Sequence, residues 1–316
     1  GLRVPVVAQG AWRLHTGWAW DPSTLTPANL EPIFAAYDAA IEAGMTFIDH
    51  ADIYGCGTSE AAFGKYLSAR PGLRKDILIQ SKCGIRFAGP KDEPKRFDFS
   101  YQHIIDSVES SLLRMGIEHL DVLLLHRPDP LMEPEEVAKA FEELQESGKV
   151  RFFGLSNVGI QQIRLLQSAI DQRILTNQLE LSLDHLLLLE SGVLVNQKGS
   201  ETYFGDGLLE FCRRQEITVQ VWSPIAKSVL DNVPESDRSE RDRNLRAVLE
   251  EMAERYEVEA SAIQVAWLLR HPADMQVILG STNPSRIRSA AVGESVELSR
   301  SDWYRIYIAA RGEEMP

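Results

Sequence analysis

Three short stretches carry side chains whose types and spacing suit acid–base chemistry. Phe47-Ile48-Asp49-His50-Ala51-Asp52-Ile53-Tyr54-Gly55 is an apolar run that ends in a carboxylate, with a tyrosine five positions further on. Gln80-Ser81-Lys82 closes a second apolar run, and Leu124-Leu125-His126-Arg127 closes a third. A free phenol, with a pKa of about 10, is a sluggish acid at neutral pH, and a neighbouring ammonium stabilises its phenolate. Lys82 is therefore expected to lower the pKa of Tyr54, Asp49 to pair with Lys82 and keep it charged, and His126 to hydrogen-bond a substrate oxygen. Such a set protonates a developing alkoxide by general acid catalysis with electrostatic help. Asp52 is close by but falls in the loop beyond the strand end, so Asp49 is the expected partner of Lys82.

These groups can meet only if the runs that end in them are adjacent strands opening on one rim. Short apolar runs do recur along the chain, at residues 6–9, 46–49, 77–81, 122–126, 152–155, 175–178, 218–222 and 277–279. Between them lie segments with apolar residues every three or four positions, which predict helices over 31–43, 101–114, 134–147, 160–168 and 261–269. Pro134, Glu135 and Glu136 suit a first helical turn, and Gly44 and Gly148 suit helix ends. Alternating strands and helices specify a parallel sheet, and eight strands specify a closed one. The expected fold class is α/β, a (β/α)8 TIM barrel forming a single domain over residues 1–316. Residues 14–29 and 184–206 break the rhythm and are expected to be long loops at the C-terminal face, where barrels build substrate pockets.

Composition narrows the function classes. A net charge of −13 leaves no basic surface for nucleic acid or anionic membrane, so an anionic ligand would need a local cationic site. Cys56, Cys83 and Cys212 are scattered without CxxC spacing, which suggests neither a disulfide framework nor a zinc site. His50, His103, His119, His185 and His271 share no metal-ligand spacing, and no metal is expected. The absence of a long apolar run and the start Gly1-Leu2-Arg3-Val4-Pro5 lead us to expect a cytoplasmic protein that does not cross a membrane.

Taken together, residues 47–55, Ser81-Lys82, His126 and Gly154-Leu155-Ser156-Asn157 resemble the aldo-keto reductase superfamily over nearly the whole chain. Leu125-His126-Arg127-Pro128-Asp129-Pro130 resembles its bacterial YdhF-like branch. The resemblance implies that Asp49, Tyr54, Lys82 and His126 form a catalytic tetrad, with Tyr54 the proton donor to a small carbonyl substrate and NADPH the hydride donor. It also implies a cofactor site. Ser156, Asn157 and Gln178 would hold the nicotinamide carboxamide, Trp222 would stack on the ring, and Ser223, Pro224 and Ile225 would line the pyrophosphate. Gly280, Ser281, Thr282 and Arg286 would receive the adenosine 2′-phosphate, helped by the N-terminus of a helix starting near Pro284. Trp12 would line the substrate pocket with Tyr54 and His126.

Two departures bear on cofactor choice: Gly280 stands where many relatives carry lysine, and Ser289 and Ala290 replace polar residues that often contact adenine. Preference for NADPH over NADH then rests largely on Arg286. Two other readings stay open on sequence alone. One is a non-catalytic nicotinamide-binding module that senses redox state; the other is a barrel aldolase with a Schiff base on Lys82. The natural carbonyl is not named by any motif, because residues 14–29 and 184–206 match none, and oligomeric state is equally unassigned.

Overall fold

Each barrel strand meets two environments, the barrel interior on one face and the surrounding helices on the other, and the side chains alternate accordingly. The computed structural model describes every residue except 1, 90–91, 196, 198–206 and 230–232. Its elements run β1 (Val7–Gly10), α1 (Pro27–Glu42), β2 (Phe47–Asp49), α2 (Thr58–Ser68), β3 (Leu78–Cys83), a small hairpin of β4 (Ile85–Arg86) and β5 (Arg96–Phe97), α3 (Tyr101–Met115), β6 (Leu120–Leu125) and α4 (Pro134–Glu146). They continue through β7 (Val150–Ser156), α5 (Ile160–Gln167), β8 (Ile174–Glu180), α6 (Leu187–Val193), α7 (Leu208–Arg214), β9 (Thr218–Trp222), α8 (Glu240–Arg255), α9 (Ala260–Leu269), β10 (Gln276–Leu279), α10 (Pro284–Ala291) and α11 (Arg300–Arg311). Eight parallel strands close into a barrel in the order β1-β10-β9-β8-β7-β6-β3-β2. All eight expected strands are barrel strands, and their bounds differ from the expected ones by at most two residues.

Four of the five expected helices agree with the structure to within one residue, and the fifth differs for a local reason. Helix α1 starts at Pro27, four residues before the expected 31, because Thr26 caps it and Pro27 fits the first turn, where a missing N–H is harmless. Helix α8 buries only Leu245, Val248, Leu249 and Met252 of its sixteen residues, so its apolar stripe is hidden among charges. Ser239 and Asp242 cap each other's backbone at its start, turning the acidic run 235–242 into a helix entrance. The expected ends at Gly44 and Gly148 hold, both glycines having positive φ just past a helix.

Two apolar clusters follow from the alternation. Ile48, Ile79, Leu123, Phe153, Val219 and Val277 belong to the large core between strands and helices. Ala8, Phe47, Val122, Leu124 and Ile278 form a small separate cluster, with Leu78 and Phe152 packed against it. The residue two places further on from Phe47 is Asp49, from Leu78 is Gln80, and from Leu124 is His126, so the face that carries the inner apolar cluster then carries polar groups. Gly154 makes room in this crowded interior: a Cβ there would lie 2.6 Å from both Leu124 Cδ2 and Thr176 Cγ2 and 2.9 Å from the Thr176 carbonyl. Overpacking of this kind costs about 1–3 kcal/mol. Gly154→Ala is expected to lower the melting temperature by several degrees in a thermal denaturation scan, whereas an unchanged melting point would show that the strand can shift freely.

Candidate active site

Strands β2 and β3 are neighbours in register, with Asp49 opposite Gln80, and this brings Asp49 and Lys82 to the same rim. Lys82 is 1% exposed, and all three of its protons have acceptors: Asp49 Oδ2 at 2.7 Å, the His50 carbonyl at 2.8 Å and Tyr54 Oη at 3.0 Å. An ammonium has three donors and no acceptor, so its capacity is filled. Burial by itself would favour the neutral amine, but Asp49 and Tyr54 overturn that, and the Lys82 pKa lies above its usual value. Tyr54 opens a tight turn in which Gly55 and Cys56 both have left-handed backbones, φ 55° and 53°. The His126 ring meets the Tyr54 ring edge-on at 5.9 Å. Burial, then the Lys82 and Arg127 charges, push the His126 pKa well below the ordinary 6.5, so the imidazole is neutral at physiological pH.

Tyr54 departs from the expectation of a lowered pKa. Burial raises it, and the pull of the Lys82 charge and hydrogen bond does not fully offset that, so the phenol titrates above its usual 10. The earlier expectation counted the ammonium and left out the loss of solvent. Tyr54 is thus held as a neutral phenol whose oxygen already accepts a bond from Lys82.

The chain matches the model of the aldo/keto reductase family over residues 6–310. It belongs to that family. Oxidoreductase YdhF of Escherichia coli is 36% identical, over 97% of this chain and 94% of that protein. A 6-dehydroglucose reductase of Agrobacterium fabrum is also 36% identical, over 99% of this chain and 97% of its own length. An aldo/keto reductase from Klebsiella pneumoniae, solved with NADP and acetate, superimposes with a TM-score of 0.71 at 22% identity, over 96% of this chain and 90% of that one.

In this aldo-keto reductase the other expected site residues fall into two groups. At the ends of β7 and β9, Asn157 bridges the rim, its amide donating to Ser156 Oγ at 2.8 Å and its Oδ1 accepting from the Trp222 indole at 3.2 Å. Asn157 and Ser223 both have positive φ, 60° and 56°, an uncommon backbone for such residues that clusters at functional sites. Pro224 is buried and Ile225 half-buried beside them. The Gln178 amide turns into the barrel and donates to Asp49 Oδ1 at 3.2 Å, while its Oε1 accepts nothing among the described residues. The Arg127 guanidinium stands 5.5 Å from the Trp222 ring, a placement the sequence did not single out.

The second group lies at the end of β10. Gly280, Thr282 and Arg286 are exposed and Ser281 half-buried, and the Arg286 side chain has no hydrogen-bond or ion-pair partner among the described residues. The α10 N-terminus is less free than expected, because Asn283 Oδ1 already accepts the N–H groups of Ser285 at 2.9 Å and Arg286 at 3.1 Å. Over the mouth, Trp12 meets Tyr54 edge-on at 5.2 Å and Trp18 at 4.7 Å, so residues 14–29 do reach the site. Of residues 184–206, those from 198 onward lie outside the described set. In the described part, Leu189 is buried on the core and Leu187 is 50% exposed, and Glu190 ties α6 to Arg311 of α11 at 3.0 Å.

Among the described residues no group of three histidine, cysteine or carboxylate side chains could hold a metal, and no helix is long and apolar enough to cross a membrane. The three cysteines are free. His50 is buried, and its Nε2 meets no partner among the described residues.

Asp52 lies in a different setting from Asp49, without a bond to Lys82. Its residue is partly exposed, yet its Oδ1 is sealed from solvent without a partner, and burial together with the nearby Glu60 pushes its pKa up to about 8. Glu60 is paired with Arg114 at 2.7 Å and accepts from the Ser81 hydroxyl at 2.6 Å. An unfolded Asp52 ionises near 3.8 while the folded one keeps its proton to about 8, so its contribution to stability declines as pH rises between those values. Asp52→Asn, which cannot ionise, is expected to raise the melting temperature more at about pH 8 than at about pH 5. Equal effects at both values would mean that Asp52 is ionised in the fold.

Proposed function

We propose that this protein reduces an aldehyde or ketone to an alcohol with NADPH, Tyr54 giving the proton. One observation carries the reading: Lys82 donates its third N–H to Tyr54 Oη. The phenol oxygen accepts this hydrogen bond from behind, so its own hydrogen is left to point away from Lys82, towards the mouth where Trp12 and His126 flank the ring. Neutral His126 donates a hydrogen bond to the substrate oxygen and orients it, and negative charge growing on that oxygen draws the Tyr54 proton. The Lys82 ammonium stabilises the phenolate left behind, and Asp49 keeps Lys82 in place. Residues 1–316 act as one catalytic unit on a small carbonyl compound, in the cytoplasm, with no role for nucleic acid or membrane.

The residues on the rim fit a nicotinamide dinucleotide. Gln178 Oε1 is open among the described residues, and Arg286 offers a guanidinium without a partner among them in an acidic protein. Ser156, Asn157 and Gln178 would hold the carboxamide, Trp222 the ring, Ser223, Pro224 and Ile225 the pyrophosphate, and Gly280, Ser281, Thr282 and Arg286 the 2′-phosphate. The bound cofactor supplies the hydride. NADP in the Klebsiella pneumoniae relative supports this choice. The name of the Agrobacterium fabrum relative supports an oxidised sugar as a substrate to assay first.

The alternatives fare worse on the same geometry. A Schiff-base lysine needs a free amine, whereas Lys82 is a fully bonded ammonium. A purely sensing module has no need of the complete Asp49, Lys82, Tyr54 and His126 set.

Tyr54→Phe should lose about a hundredfold or more in turnover of nitrobenzaldehyde or a sugar aldehyde, followed by loss of the reduced-nicotinamide absorbance. Its affinity for NADPH, read by fluorescence titration, should stay within about twofold. Retained turnover would remove Tyr54 as proton donor, and tight NADPH binding with no turnover of any carbonyl by the parent would favour the sensing module. Arg286→Ala should weaken NADPH binding about tenfold or more and leave NADH binding nearly unchanged; equal losses would place the 2′-phosphate elsewhere.

A further inference from the structure

Barrel interiors of this fold are usually filled by layers of branched apolar side chains. Here one layer is built of amides. Gln80 of β3, Gln178 of β8, Gln220 of β9 and Gln276 of β10 are all 3% exposed or less. Burying an amide is unfavourable unless its hydrogen bonds are made, and a partly satisfied polar layer is worse than an apolar one. The bonds here are made, and they have a direction.

Gln80 and Gln220 form a reciprocal pair, each Nε2 donating to the other's Oε1, at 3.0 and 3.1 Å. Strands β3 and β9 stand opposite each other in the closed order, so this pair spans the barrel. Gln220 also donates to Gln276 Oε1 at 2.8 Å, and Gln276 donates to the Pro5 carbonyl at 2.7 Å, which anchors the chain of amides at the bottom. Gln178 donates to Gln220 Oε1 at 3.1 Å. The remaining N–H of Gln80 and of Gln178 go to one atom, Asp49 Oδ1, at 2.6 and 3.2 Å.

Asp49 therefore accepts on both oxygens, two amides on Oδ1 and Lys82 on Oδ2. We propose that Gln80 and Gln220 are positioning residues of the reductase: the amide pair fixes Asp49 as an oriented carboxylate, and through it sets where Lys82 holds Tyr54. Gln80 acts directly on Asp49, and Gln220 acts by locking the Gln80 amide. Neither bonds Tyr54 or Lys82. The proposal rests on the reading of Tyr54 as proton donor.

Gln80→Met keeps the volume and removes both donors. It is expected to lower kcat about tenfold or more, with KM for the carbonyl and affinity for NADPH within about twofold of the parent, because only the proton-donating arrangement is disturbed. Gln220→Met should do the same to a smaller extent, and it stands in should Gln80→Met fail to fold. Gln276→Met, which alters the same layer without a bond to Asp49 or Gln80, should leave kcat within about twofold. Parental kcat in both Gln80→Met and Gln220→Met overturns the proposal, as does an equal loss in all three variants, which would mark the layer as packing alone. A parent without carbonyl turnover overturns the reductase reading and this one together, whereas an active parent with insensitive glutamines overturns only this one.

Discussion

The ammonium of Lys82 is the group around which the rest of the structure is arranged. A charge this deeply buried is tolerated only with close, complete pairing, and removal of a single partner from such a pair is strongly destabilising. Its three acceptors come from two pieces of chain: the end of β2, which gives Asp49 and the His50 carbonyl, and the turn after it, which gives Tyr54. Registering β2 against β3 is thus as much a requirement of the charge as of the sheet.

From bottom to top the barrel interior changes character by layers. Along its own strand Phe47 lies two places before Asp49, Leu78 two places before Gln80 with Lys82 two beyond it, and Leu124 two places before His126. This gradient lets a strongly acidic protein keep one ammonium dry beside its carboxylate partner. Positive charge near the site comes from Lys82 and Arg127, which together with burial keep His126 neutral. A neutral imidazole and a neutral phenol on either side of one ammonium are a suitable pair to meet a carbonyl oxygen, and neither needs to lose or gain a proton beforehand.

Much of this was legible in the residues. Eight apolar runs marked the strands, and the placing of Asp49, Lys82 and His126 at successive run ends marked the rim, because a barrel strand ends where its chemistry begins. The rest depended on facts that a linear reading does not hold. Gln80 and Gln220 were passed over because the strands were read as apolar runs rather than as two alternating faces, and an inward glutamine looks the same as an outward one until its neighbours are known. The direction of the Tyr54 pKa required the balance of desolvation against one charge, and only burial supplies it. Asn283 could equally have met a phosphate or capped its own helix, and the structure shows the cap.

The central claim is that Tyr54 is a buried neutral phenol bonded by Lys82 and ready to give its proton. Its most direct test is a pH titration of tyrosinate absorbance in the parent against Tyr54→Phe, the difference isolating the one phenol. The account predicts no Tyr54 phenolate below about pH 10. A phenolate signal with a midpoint near about pH 8 would contradict it, showing that Lys82 outweighs burial and that the resting group is a base.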